Sequence, residues 1–388
     1  MILIDKPYVS DFLKETLEKT QIQVIKTPFA EKELSGFSIR FVTEQEAVNL
    51  FDGSAKVPLY TNSENAIEWV ENHLPRSAFA ANNKLFKNKI LFRELIKPMY
   101  PDFFFLGIPF DELNALDISN FSYPFVIKPA VGFFSLGVHI VENAAAWKNT
   151  LVKIKREIEI QKGVYPEIVL NTSQFIVEQN IEGDEYALDC YFDSAGKVTI
   201  LNIMHHLFSS GKDTNDRVYS TSKQIVENNI QKMETFLQSI GNLANLKNYP
   251  AHVEVRVDAQ GKVVPIEVNP MRFGGWCTTA DLTWFAYQFN SYEYYQKGLK
   301  PDWNKVFEGK ENSEYSLIVL DNSTGKEPSE IKEFNYDKLI QNFNNLLHLR
   351  KVNHQKYLIF GFAFIETSIE DKSELNFILH SNLTEFIS

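Results

Sequence analysis

One hairpin near residue 260 constrains this chain more than any other stretch. Residues 251–268 alternate apolar and polar side chains on either side of Asp258-Ala259-Gln260-Gly261, a turn signature, and read as two antiparallel strands. Pro265 falls inside the second strand, which places it at a sheet edge or a bulge. Side chains alternate along a strand, so Glu267 and Asn269 share a face. A loop over residues 259–262 sets Glu254 opposite Glu267. Facing like charges destabilise a ladder, and a bound divalent cation relieves that repulsion. Oxygen ligands of this kind suit Mg²⁺. Arg272 follows at once, and Gly274-Gly275 lets a substrate approach the backbone. The bland alternative is a solvent-facing hairpin whose carboxylates pair with Arg256 or Lys262.

Two other stretches carry chemistry. At residues 123–138 a buried strand ends in Lys128, and a turn containing Gly132, Ser135 and Gly137 follows. Glycines let backbone N–H groups close on an anion, and a lysine adds a point charge for the same phosphates. Gly132 and Gly137 have the spacing of a Walker A loop, but Val138 stands where that loop needs lysine. A protein-kinase order is excluded too, since no His-Arg-Asp tripeptide follows. At residues 176–186 a strand runs through Glu178-Gln179-Asn180-Ile181 and an acidic turn into Glu185. Such a connector offers backbone groups to an adenine edge and a carboxylate to ribose hydroxyls. Ordinary turns explain both stretches when each is taken alone.

The bulk composition narrows the class. At 388 residues, two or three domains are expected. A net charge of -11 argues against a diffuse nucleic-acid surface. Cys190 and Cys277 form no CxxC pair, so no disulfide framework or zinc knuckle is implied. No apolar run approaches a membrane span, and the N-terminus lacks the pattern of a secretory leader. A cytoplasmic protein is expected. The sequence holds no G-x-S-x-G and no H-E-x-x-H, so a side-chain nucleophile or zincin chemistry has no support. His205-His206 has no further His or Cys at ligand spacing and reads as a hydrogen-bonded pair.

The periodicities give an α/β (α+β) order. Strand, helix and strand within residues 2–25 imply a small N-terminal α/β layer. A charged helix begins near 79 and contains Asn88 to Arg93; Pro98 and Pro101 end it. A strand at 121–129, a helix at 144–162 and two or three antiparallel strands over 174–204 follow. Residues 209–222 read as a polar loop and 224–243 as a helix. Strands at 315–320 and 357–364 flank a helix at 336–347.

In this order, the motifs over residues 80–290 resemble the ATP-grasp superfamily. The resemblance implies an N-terminal α/β domain (1–78), an ATP-grasp domain (79–299, with a lid at about 120–180) and a C-terminal accessory unit (300–388). It implies ATP with two Mg²⁺ ions, Mn²⁺ as a substitute, small-molecule carboxylate and amine substrates, no nucleic acid, no membrane, and a homodimer within the family's range. Residue by residue, Lys89 and Lys128 resemble the nucleotide lysines, with Asn88 replacing the frequent aspartate. Gly132, Ser135 and Gly137 resemble the phosphate loop. Glu178 and the backbone of Gln179 and Ile181 resemble the adenine hinge, and Glu185 the ribose carboxylate. Glu254, Glu267 and Asn269 resemble the metal ligands. The family's Asn-Pro-Arg reads Asn-Pro-Met-Arg here, which displaces Arg272 by one residue. Arg217 is a second candidate for a γ-phosphate or substrate contact.

The implied reaction is ATP-dependent activation of a carboxylate as an acyl phosphate, followed by attack of an amine, with amino acids or a short peptide as substrates. The alternatives are an ATP-binding sensor or scaffold without turnover, which an intact metal triad argues against, and a bicarbonate-using, carboxylase-like enzyme.

Overall fold

The computed structural model describes residues 1–51, 57–132, 137–161, 171–210 and 215–388. Four short parallel strands form the first sheet, in the order β3-β2-β1-β4: β1 (Ile2–Leu3), β2 (Val24–Ile25), β3 (Phe41–Val42) and β4 (Tyr60–Thr61). The helix Asp11–Thr20 begins where the sequence places it, because the Ser10 hydroxyl accepts the Leu13 N–H.

The charged helix near residue 80 is two helices. Asn88 ends Ala78–Lys87 in an extended conformation and caps Lys89–Ile96, its side chain accepting from Ile90 N and Leu91 N. Asn serves this capping role as well as Asp, which accounts for the exchange at this position. Lys89 and Arg93 then lie one turn apart on one face.

A second, antiparallel sheet has the order β5-β8-β6-β7: β5 (Phe105–Pro109), β6 (Phe125–Val131), β7 (His139–Val141) and β8 (Asn171–Gln179). The helix Ala144–Gln161 covers it. Phe125, Ile127, Trp147, Ile154, Phe175 and Val177 belong to its own hydrophobic core, distinct from the main one.

The third sheet is the frame of the molecule. It has eight antiparallel strands in the order β13-β12-β9-β10-β11-β14-β16-β15. They are β9 (Asp184–Phe192), β10 (Val198–Leu207), β11 (Val218–Ser222), β12 (Tyr249–Val257), β13 (Val263–Pro270), β14 (Ser313–Asp321), β15 (Leu346–Lys351) and β16 (Ile359–Ser368). Two expectations change here. The end of the polar stretch 209–222 is β11, a central strand. Its hydroxyls are satisfied inside the sheet: Ser220 Oγ meets Ser316 Oγ at 2.7 Å, and Thr221 Oγ1 donates to Asn202 Oδ1 or Ile203 O, both at 2.8 Å. The helix expected at 336–347 ends at Ile340, and its tail becomes strand β15. Through β11 and β14, the last three strands extend the central sheet.

The β12–β13 hairpin lies at the sheet edge, where Pro265 costs no ladder bond. Glu254 does face Glu267, but by a different route from the expected loop. Val257 pairs with Val263 across a five-residue connection, and a bulge between Glu254 and Val255 shifts the register back. Without the bulge, Glu267 would turn to the other face.

Candidate active site

The site is built on β12, β13 and the two helices that approach them. Asn269 Nδ2 reaches Glu254 Oε1 at 3.3 Å and Glu267 Oε1 at 3.2 Å, so the three predicted ligands form one group. Burial, reinforced by the charges of Glu267, Asp216 and Glu185, pushes the Glu254 carboxyl well above the usual range. Burial also opposes charge on Glu267, but the ammonium groups of Lys89, Lys128 and Lys87 outweigh it and hold that carboxyl at about 2. The pair is thus split between two environments.

Lys89, at the start of its helix, sits 3.1 Å from Glu267 and 3.4 Å from the carbonyl oxygen of Gly132. Lys128 on β6 pairs at 2.6 Å with Glu178 on β8. Glu178 is 2% exposed and also accepts from Arg93 Nε at 2.7 Å. Arg93 then donates to the Pro265 carbonyl at 2.7 Å, tying the second sheet to the edge strand. The Glu178 carboxylate is therefore committed to two cations. The backbone of Gln179 and Ile181, expected at the adenine edge with Glu178, lies at the end of β8 and in the connector that follows. In that connector the Ile181 carbonyl accepts from Arg256, and Gln179 is held against Phe104. Glu185 accepts from His206 Nδ1 at 2.8 Å and Arg256 Nε at 3.0 Å. His206 is buried and hydrogen-bonded, as its sequence context implies. Gly137 has a φ of +72°, and Ser135 lies outside the described residues.

The extra residue in Asn-Pro-Met-Arg has a physical explanation. Met271 adopts a left-handed conformation (φ 59°) and is fully buried, its sulfur against Asn83 and its carbonyl accepting from Thr61 N at 2.8 Å. The chain turns there, and Arg272 Nη2 meets Glu64 at 2.5 Å while Nη1 donates to the Phe273 carbonyl.

Arg217 is not brought to this group. Its guanidinium pairs with Asp321 and donates to Ser323 Oγ and to the carbonyls of Ile378 and Ser381, all in the C-terminal segment. The preceding residue, Asp216, accepts from the Tyr219 hydroxyl at 3.0 Å, and its charge acts on Glu254. Burial raises its carboxyl, and the charges of Glu185 and Glu267 add to that rise. Asp216, Arg93 and Glu64 carry no motif that marks them in the sequence.

A cation fits the Glu254–Glu267–Asn269 set. The two carboxylates are forced together by the ladder, and burial together with the neighbouring carboxylates disfavours charge on Glu254, which a bound cation would offset. Among the described residues, no cluster of three or more His, Cys, Asp or Glu side chains makes a metal cage alone. Two carboxylates and an amide leave the remaining positions to phosphate and water, as Mg²⁺ prefers.

Residues 121–280 match the family description "ATP-grasp domain". No curated protein matches the sequence. Among solved structures, an L-amino acid ligase from Bacillus licheniformis is similar, with a TM-score of 0.68 and 18% identity, over 100% of this chain and 97% of that one. A biotin carboxylase from Campylobacter jejuni has a TM-score of 0.62 and 13% identity, over 94% and 87% of the two chains. An N5-carboxyaminoimidazole ribonucleotide synthetase from Thermotoga maritima has a TM-score of 0.62 and 13% identity, over 100% and 98%. No helix among the described residues is long and apolar enough to cross a membrane. Residues 121–280 thus match an ATP-grasp domain, and the chain as a whole shares the fold of these ATP-grasp-type structures.

Proposed function

We propose that this protein is an ATP-dependent carboxylate–amine ligase that forms ADP and phosphate. The observation that carries the reading is the facing pair Glu254 and Glu267, ringed by Lys89, Lys128 and Arg272. Such an arrangement suits phosphoryl transfer, in which catalysis is mainly positioning and charge stabilisation. A carboxylate oxygen of the first substrate attacks the γ-phosphorus, the bond to the β-phosphate oxygen breaks, and ADP leaves. The amine nitrogen of the second substrate then attacks the acyl carbon, loses a proton and expels phosphate. Lys89 and Lys128 hold the nucleotide phosphates, and Arg272 faces the transferring group. Glu254, Glu267 and Asn269 hold Mg²⁺, which supplies further charge neutralisation when bound. Glu185 and the backbone at Gln179 and Ile181 bind the nucleoside in this reading. The unit around β5–β8, with a core of its own, closes over ATP as a lid.

Amino acids or short peptides are the proposed substrates. The likeness to an L-amino acid ligase from Bacillus licheniformis supports that class. The test is phosphate release from Mg²⁺-ATP against pooled amino acids, short peptides and bicarbonate. Release that depends on a carboxylate and an amine is expected. ATP binding without release in any pool would favour the sensor reading, and release with bicarbonate alone the carboxylase-like one.

A further inference from the structure

We infer that Glu64, supplied by the N-terminal unit, is a positioning residue that aims Arg272 at the transferring phosphoryl group; the inference rests on the phosphoryl-transfer chemistry proposed above. Glu64 opens a single 3-10 turn (Glu64–Ala66) directly after β4. Its carboxylate lies between two cations from distant parts of the chain, Lys87 at the end of one helix and Arg272 just past β13. The three side chains are 9–11% exposed. Burial alone would raise the Glu64 carboxyl, but Lys87 and Arg272 outweigh it and hold it at about 2.

The loop that presents Glu64 is tied down by hydrogen bonds. Asn62 accepts from Asp5 N and donates to the carbonyls of Asp5 and Tyr8, each at 2.8 Å. Ser63 Oγ accepts from Asn65 N. The same loop is already fastened to the core without Glu64. Thr61 holds the Met271 carbonyl through both its N–H and its hydroxyl, and the Tyr60 ring packs on Phe273 with centroids 5.0 Å apart. A buried ion pair is weak evidence of stability, so cohesion does not explain a charged triad here.

Direction does explain it. Arg272 is bonded to Glu64, and the charges of Glu254 and Glu267 act on it as well. Left to itself, the guanidinium would fold onto those two carboxylates and compete with a cation. Glu64 draws it away by one nitrogen, while Nη1 is fixed on the Phe273 carbonyl. A guanidinium fixed at two nitrogens stabilises a phosphoryl group with little reorganisation. Because Arg272 is displaced by the inserted Met271, it needs an external guide, and the N-terminal unit provides one.

The test uses the full-length protein and calorimetric titration of MgADP, with and without aluminium fluoride as a mimic of the transferring phosphoryl group. Glu64→Gln should leave MgADP affinity within about twofold and weaken the fluoride-dependent complex by about tenfold or more. Glu64→Asp should recover part of that loss. In an Arg272→Ala background, Glu64→Gln should add nothing further, because both changes remove one function. Equal fluoride-dependent affinity in wild type and Glu64→Gln overturns the inference, as do losses that multiply in the double variant. If Glu64→Gln does not fold, Glu64→Asp carries the test, and wild-type capture by that variant overturns the inference. No acceptor substrate is needed. A wild type that captures the fluoride complex yet ligates nothing refutes the ligase reading alone.

Discussion

Glu254 and Glu267 are direct partners across the β12–β13 ladder, and only Glu267 has a lysine, Lys89, within 3.1 Å. Two carboxylates in register on an edge hairpin are a cost to the fold. Here that cost is placed beside three further cations. Glu267→Gln removes the carboxylate shared by Lys89 and the proposed cation. Turnover should fall by about 10²–10³, with the far-UV circular dichroism spectrum unchanged. Near-normal phosphate release would refute the metal assignment.

Arg217 gives the opposite expectation. Its guanidinium serves Asp321, Ser323 and two carbonyls of the C-terminal segment. Arg217→Ala should cost about 3–5 kcal/mol, since it leaves buried acceptors unpaired. Turnover per folded molecule should be unchanged at a temperature below the lowered melting point. Intact stability with lost turnover would return Arg217 to the catalytic group.

Acid stability should report on Glu178. Burial disfavours its charge, yet Arg93 and Lys128 outweigh burial and bring its carboxyl from 4.5 to about 2. The folded state therefore binds this proton later than the unfolded chain does. Its contribution, on the order of 3 kcal/mol, is present above pH 4.5 and is lost as pH falls toward 2. Glu178→Gln should flatten that part of the stability curve in urea titrations at several pH values. An equally steep acid limb in the variant would contradict the assignment.

Gly183 sits in the connector between Ile181 and Glu185 with φ at 115°, and a Cβ there would lie 2.1 Å from the Val257 carbonyl oxygen. Gly183→Ala should destabilise by about 2 kcal/mol or more. It should also weaken ATP binding by shifting the connector. A melt within error of wild type would show that the hairpin yields more easily than its packing implies.

Much of this was readable because the chemistry lies on short-range patterns. The hairpin, its edge proline and the facing of Glu254 and Glu267 follow from alternation and turn residues, although a bulge sets the register that the loop count alone assigned. Polar β11 was not readable, because Ser220 and Thr221 become buried only when β10, β14 and Asn202 supply their partners. Strand β15 was hidden for a related reason: its pairing with β16 is tertiary, and Leu346–Lys351 lacks a strong strand pattern of its own. Glu64 and Asp216 sit in unremarkable local sequence. They acquire a role only when the fold brings them to Arg272 and to the Glu254–Glu267 pair.

Isotope transfer tests carboxylate activation by ATP most directly. A substrate carboxylate labelled with heavy oxygen is turned over with unlabelled Mg²⁺-ATP and an amine, and the released phosphate is analysed by mass spectrometry. Acyl-phosphate formation requires that a carboxylate oxygen leave with the phosphate, so labelled phosphate is the expected result. Turnover that yields only unlabelled phosphate would contradict it.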